Sequence, residues 1–225
     1  MPIRLDHVCF NYGQGPILTQ ISLTINRGDF FGITGINGSG KSTLLYLLNG
    51  IIPNQIKGKL SGKITVDNQV PNPQTVGLIF QNPDFSLFNL TVRDEVGFNN
   101  PPEKIIPALK AVNLLPFIDR DPQTLSFGQK QKVCLASLLA RNLDYLVLDE
   151  PTAMLDYKSS LELYVLLHRL NQQGKTIIVV EHDTDFLRQY ANRLAILHQG
   201  KILKLGNPKT ILQQKSLLKK IGIKC

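Results

Sequence analysis

"GINGSGKST", residues 35–43, decides how this chain is read. Gly35, Gly40, Lys41 and Ser42 are spaced as G-x-x-x-x-G-K-[ST], between an apolar run, "DFFGITG", and "KSTLLYLLNG", which has helix composition and a glycine stop at Gly50. Strand, loop, helix is the context that gives this spacing physical meaning. Glycines let the backbone wrap closely around phosphate oxygens, and amide groups at a helix start favour negative charge. Lys41 then reaches β- and γ-phosphates, the Ser42 hydroxyl suits a Mg²⁺ ligand, and Thr43 adds a hydroxyl. The whole loop, Gly35, Asn37, Gly38, Ser39, Gly40, Lys41, Ser42 and Thr43, is expected to cradle phosphates.

Working outward, "IRLDHVCF" and "ILTQISLTI" alternate as two early antiparallel strands, joined around Tyr12–Gly15. "GKITVDNQ" and "TVGLIF" continue the β pattern as far as Gln81. A helical pattern broken by "NNPPEK", Pro107, Pro116 and Pro122 then places an inserted lobe at about residues 82–131. "YLVLDE" and "TIIVVEHD" read as buried strands with the helix "LELYVLLHRL" between them, and "LAILHQGKILKL" as a hairpin turning at Gln199-Gly200. Strands alternating with helices imply a mainly parallel sheet covered on both faces. After Leu205, "PKTILQQKSLLKK" reads as one short basic amphipathic helix from near Pro208, within residues 207–225.

Three further stretches carry chemistry. Asp149 and Glu150 follow the apolar "YLVL", so the strand delivers them to its carboxyl end, where ligands sit in open α/β sheets. Asp149 is placed for a Mg²⁺ shell, and Glu150 for orienting or deprotonating a water that attacks a γ-phosphate. His182 closes "TIIVVEH" in the same way, which brings its imidazole towards that phosphate. "LSFGQKQKV", residues 125–133, opens on a helix-capping serine beside Gly128 and looks like a second anion site.

Together these stretches resemble the ATP-binding cassette family, the ATPase subunits of membrane transporters. "GINGSGKST" is similar to its Walker A loop, "YLVLDE" to its Walker B strand, "LSFGQ" to its signature motif, Gln81 to its Q-loop, "MLD" through Asp156 to its D-loop, and His182 to its switch histidine. The six stand in the family's order. The resemblance implies an α/β, P-loop NTPase fold of ABC ATPase type: a mainly parallel sheet with an antiparallel β subdomain and an inserted helical subdomain, in a single domain over residues 1–225. It implies ATP and Mg²⁺ as cofactors, with Ser42, Gln81 and Asp149 on the metal, Glu150, His182 and Gln81 in hydrolysis, and Tyr12 stacked on adenine. It also explains the second anion site. In a head-to-tail dimer Ser126, Gly128 and Gln129 would complete the partner's nucleotide site, with Asp156 alongside. Phe127 stands where the family more often has glycine, and Met154 is a milder departure.

Within the family, "GLIFQNPDFSLFNLTVRDEVGF" and "LSFGQKQKV" look most like the ATPases of energy-coupling-factor transporters, prokaryotic importers of vitamins and transition-metal ions. The resemblance implies a second ABC ATPase subunit, identical or paralogous, integral membrane partners, and a place on the cytoplasmic face of the membrane. Phe85, Leu87, Phe88 and Leu90 are either lobe core or an apolar surface for a membrane subunit. The competing class is a non-transport cassette acting on ribosomes or DNA, which usually carries two cassettes or a long coiled-coil insertion.

Composition fits this reading. The 225 residues, 43% hydrophobic, suffice for a packed domain. No run approaches the roughly 18 apolar residues of a membrane span. Cys9, Cys134 and Cys225 have no metal or redox spacing. Seven lysines in residues 201–225 account for all but one unit of the +8 net charge, so the tail is basic and the body is not. That argues against a nucleic-acid groove and leaves the tail either a solvated face or a contact for anionic lipid or an acidic partner.

Overall fold

The computed structural model describes residues 2–223, so Cys225 lies outside the described residues. A three-stranded antiparallel sheet, in the order β2 (Pro16–Ile25), β1 (Ile3–Asn11), β4 (Lys59–Val66), stands beside a six-stranded one. The larger sheet runs β5 (Val76–Ile79), β6 (Tyr145–Asp149), β7 (Thr176–Val180), β3 (Phe30–Thr34), β8 (Arg193–His198), β9 (Lys201–Gly206). All of its pairs are parallel except β8 with β9. That last hairpin turns through Gln199 and Gly200, both left-handed at φ 48° and 72°, as a two-residue loop requires.

Every residue of β3, β6 and β7 is buried, because both faces of the sheet are covered. Alternation sorts their side chains into two cores. Leu146, Leu148, Ile177 and Val179 pack with α5 (Phe127–Ala140) and α6 (Tyr157–Gln172). Tyr145, Val147, Ile178 and Val180 pack with α1 (Lys41–Asn49) and the antiparallel sheet. Each buried Leu or Val contributes about 1.5–3 kcal/mol, which makes the strands a firm base for whatever their ends carry. Those ends lie level: Val180 pairs with Ile33 on one side and Asp149 on the other. Because β7 lies between β3 and β6, the residues after Val180 emerge between the glycine loop and the two acids.

Between β5 and β6 the chain is mainly helical, with α3 (Val92–Gly97), α4 (Pro102–Ala111) and α5. Gln131, given above as the lobe's end, is interior to α5. Pro107 does not break α4 but sits inside it; Pro102 starts that helix, so Pro107 removes one amide bond from its second turn. A four-residue α2 (Ile51–Asn54) follows α1.

The tail departs from expectation. In place of one solvated helix there are two short ones, α8 (Pro208–Leu212) and α9 (Lys215–Lys220), broken at Gln213 and Gln214. Ile211, Leu212, Leu218, Ile221 and Ile223 are buried against Leu187 of α7 (Thr184–Tyr190) and against Leu194 and Ile196 of β8. The lysine count signals exposure, but the apolar residues between the lysines dictate packing. Among the described residues no helix is long and apolar enough to cross a membrane.

Candidate active site

The glycine loop leaves β3 and enters α1 through Gly40, which is left-handed at φ 100°. A Cβ at Gly35 would collide with the Leu197 carbonyl oxygen and lie 2.8 Å from Ser39 Oγ, so only glycine lets the loop fold this tightly. Lys41, 5% exposed, curls back to donate from Nζ to the carbonyls of Gly35 (2.9 Å) and Ile36 (3.2 Å). Burial lowers its pKa, and the nearby carboxylates of Glu150 and Asp149 work against that shift. Tyr12 places its hydroxyl 3.1 Å from Thr43 Oγ1, with its ring edge-on to Phe10 and part exposed.

Glu150 is the hub of the cluster. Its Oε1 lies 2.8 Å from His182 Nε2 and 3.8 Å from Lys41 Nζ, and its Oε2 accepts from Gln81 Nε2 at 3.1 Å. The backbone at Glu150 is left-handed, φ 45°, held by its amide donating to the Val180 carbonyl (3.0 Å). Such a conformation in a non-glycine residue costs about 1–3 kcal/mol and aims the side chain away from the strand direction of Asp149. His182 lies two residues beyond β7 rather than ending it, outside regular secondary structure.

Asp149 is buried, and burial raises its pKa; a hydrogen bond with the Ser42 hydroxyl pulls in the opposite direction. Its Oδ1 is buried with no protein partner, and Ser39 Oγ shares that condition. An unpartnered carboxylate oxygen beside a serine hydroxyl is a hard, all-oxygen donor set of the kind Mg²⁺ takes. Four sequence stretches thus converge at the carboxyl ends of four strands: residues 35–43 after β3, Gln81 after β5, Asp149 with Glu150 at β6, and His182 after β7.

Ser126, Gly128 and Gln129 do not join them. No hydrogen bond or ion pair among the described residues links these three to the cluster. Ser126 and Gln129 instead form a reciprocal capping box at the start of α5, at 3.3 Å and 2.9 Å. Beside them is a shallow hollow of about 200 Å³ that also touches Leu155 and Ser159. Asp156 caps α6, accepting from the Ser159 amide at 2.7 Å, and that contact lowers its pKa.

Sequence reasoning passed over Glu181. It is 2% exposed, and its Oε1 accepts from the Thr152 hydroxyl (2.7 Å) and amide (3.1 Å). Burial pushes its carboxyl up to about 7. The available signal was an acid directly after four apolar strand residues, Ile177 to Val180, overshadowed by the histidine that follows it.

A phosphate-type glycine loop facing strand-end acids, a glutamine and a histidine defines a P-loop NTPase, here with an added antiparallel sheet and a helical segment between β5 and β6. The chain belongs to the ABC transporter family, whose model matches residues 18–153, and it is an ABC ATPase. It is 38% identical to the energy-coupling factor transporter ATP-binding protein EcfA of Methanocaldococcus jannaschii, over 99% of this chain and 85% of that protein. Its fold is similar to cbiO1 of Clostridium perfringens, part of the ABC transporter complex cbiONQ, with a TM-score of 0.84 and 31% identity over 99% and 94% of the two chains. It also resembles the cassette MJ0796, solved as a dimer in a post-hydrolysis state with ADP and Pi, at a TM-score of 0.76 and 28% identity over 92% and 98%. The chain is accordingly an ATP-binding subunit of the ABC transporter type, similar to energy-coupling-factor ATPases over nearly its full length.

Proposed function

We propose that this chain hydrolyses ATP to drive an energy-coupling-factor importer of a vitamin or a transition-metal ion, from the cytoplasmic face of the membrane and as one half of a cassette dimer. The observation that carries this reading is the convergence on Glu150 of Gln81, Lys41 and His182, in a chain whose relatives include energy-coupling-factor ATP-binding proteins. The loop from Gly35 to Thr43 binds the phosphates, with Lys41 on the outer ones and Tyr12 at the adenine. Ser42, Asp149 and Gln81 would hold Mg²⁺, which when bound supplies positive charge to the phosphate oxygens. Glu150 takes the proton of the attacking water or orients it, and His182 fixes the carboxylate that does so. Ser126, Gly128 and Gln129, remote from their own chain's phosphates, serve the partner's nucleotide, with Asp156 next to them.

The residues that face a membrane subunit in this reading are Phe85, Phe88 and Leu90, which are 79%, 65% and 84% exposed, while Leu87 is 5% exposed and belongs to the core. Phe88 stacks edge-on against Phe98 at 4.8 Å, so the patch is organised. Three neighbouring large apolar side chains left in water are costly unless a partner covers them.

Affinity purification of the tagged chain from gently solubilised native membranes, with partners identified by mass spectrometry and ATPase activity assayed, tests the reading. Recovery of a polytopic membrane subunit with a substrate-binding membrane protein supports it and points to the substrate. Recovery of ribosomal or DNA-bound proteins in their place removes the transport role and leaves the ATPase.

A further inference from the structure

Glu150 and His182 come from different strands, β6 and β7, and both lie just past the strand ends in irregular backbone. Their 2.8 Å contact therefore needs something to hold the two loops together. The backbone supplies one link, from the Glu150 amide to the Val180 carbonyl. Beyond it the chain from Glu150 runs through Pro151 and Thr152 to Leu155, turned by bonds from Ala153 to Glu150 and from Leu155 to Thr152. The chain from Val180 runs through Glu181 to His182. Between these two paths one side chain makes a buried connection, the two-pronged acceptance by Glu181 Oε1 from Thr152.

We infer that Glu181 is a positioning residue for hydrolysis, a staple that clamps the Thr152 turn to the switch-histidine loop and so fixes the Glu150–His182 pair. This rests on the reading of Glu150 as the hydrolytic carboxylate and His182 as its partner. The staple has one prong on an amide and one on a hydroxyl, so it fixes the turn's orientation as well as its distance. It sits on the buried side of the reactive pair, without access to substrate, and so acts through its neighbours. A second anchor, Gln131 Nε2 donating to the Pro151 carbonyl at 2.6 Å, holds the same turn from α5. The turn is gripped on both sides, from the helix that begins with Ser126 and from the loop that carries His182. Movement of either reaches Glu150 through a path of two residues.

The electrostatic setting suits a staple over a proton carrier. Its titratable neighbours are Glu150 from β6, whose charge opposes ionisation of Glu181, Tyr164 from α6, and the adjacent His182 and Asp183. No solvent path opens to it at 2% exposure, so it is badly placed to exchange protons with bulk water during turnover.

Full-length Glu181→Ala, Glu181→Gln, Thr152→Val and the Glu181→Ala/Thr152→Val double variant test this by steady-state ATPase kinetics, nucleotide affinity and thermal melting. Glu150→Gln and His182→Ala are run in parallel. The inference expects Glu181→Ala to lower kcat by about 10-fold or more with KM changed by less than about 2-fold, since small misplacement of reacting groups is costly to rate. Glu181→Gln, whose carbonyl still accepts from Thr152, should recover most of that loss. The double variant should be no slower than Glu181→Ala alone, because both changes cut one link. Wild-type kcat in folded Glu181→Ala, or additive losses in the double variant, overturns the staple. Should Glu181→Ala fail to fold, Thr152→Val against Glu181→Gln carries the same decision, with unchanged kcat in Thr152→Val overturning it. Unchanged turnover in Glu150→Gln overturns the underlying reading of the site and the staple with it. Loss of turnover there with wild-type kcat in Glu181→Ala overturns the staple alone.

Discussion

Glu150 Oε1 stands 2.8 Å from His182 Nε2, although the two residues are separated by a helix and a strand in the chain. The contact depends on sheet order, because β6 and β7 are neighbours with Asp149 in register with Val180. It also sets apart the two adjacent acids of "YLVLDE". Asp149 points back to Ser42 and is buried with an unpartnered oxygen, whereas Glu150 turns to the lysine, the histidine and the glutamine.

Glu150→Gln keeps size and hydrogen bonding but removes the basic oxygen. ATP turnover should fall by about 10²-fold or more, the magnitude expected for a general base, while nucleotide affinity stays within a few-fold of wild type. Single-turnover hydrolysis together with equilibrium nucleotide binding checks this, and near-normal turnover would take Glu150 out of the base role.

The stretch "DFSLFNL" separates packing from recognition within seven residues. Leu87→Ala should cost about 2–5 kcal/mol of stability because the side chain is buried in the lobe, which a denaturant titration would register. Phe85→Ser and Phe88→Ser should leave the melting temperature nearly unchanged, since both rings are largely in water, and yet lower recovery of the membrane partners in a pull-down. Loss of folding in these two variants would place them in the core and remove the docking surface.

The glycine loop, the two acids and the histidine were legible in the sequence because each sits at a strand end that apolar periodicity marks plainly. The antiparallel pair and the final hairpin were legible for the same reason, helped by Gly200. What stayed hidden depends on packing between distant segments. Nothing in "PKTILQQKSLLKK" tells that Leu212 and Leu218 pack on α7 and β8, and the sequence does not separate Leu87 from its exposed neighbours. Glu181 escaped notice because its significance lies in a partner, Thr152, 29 residues away.

Truncation after Leu205 removes Ile211, Leu212, Leu218, Ile221 and Ile223 from their core and uncovers Leu187, which sits one turn into the helix following His182. Several buried side chains at about 1.5–3 kcal/mol each exceed the margin that most domains possess. The truncated chain should therefore melt far lower or fail to accumulate in soluble form. A truncated chain with unchanged thermal stability would restore the view of the tail as a solvated appendage. Replacing the lysines Lys219 and Lys220 by Gln should leave stability almost intact, because both are exposed and lie outside this core.

Glu181 also gives the fold a pH dependence whose sign follows from its setting. Burial raises its pKa from 4.5 to about 7, and the hydrogen bonds from Thr152 only partly offset this. The folded state therefore favours the protonated carboxyl. Its contribution to stability is fully present below about pH 4.5 and is lost as pH rises towards 7, to a total on the order of 3 kcal/mol. Asp67 acts in the opposite direction in a separate window. Burial raises its pKa, but Arg27 and Tyr145 outweigh that and hold it at about 2, so its contribution is lost only below about pH 4. Comparing wild type with Glu181→Gln isolates the first effect, since the variant has no proton to lose there. Between pH 5 and 8 the wild-type melting temperature should fall relative to that of Glu181→Gln, with the gap widening through pH 6 to 7. Parallel curves over that interval would mean that Glu181 ionises as freely in the folded chain as in the unfolded one, and that its burial carries no electrostatic cost.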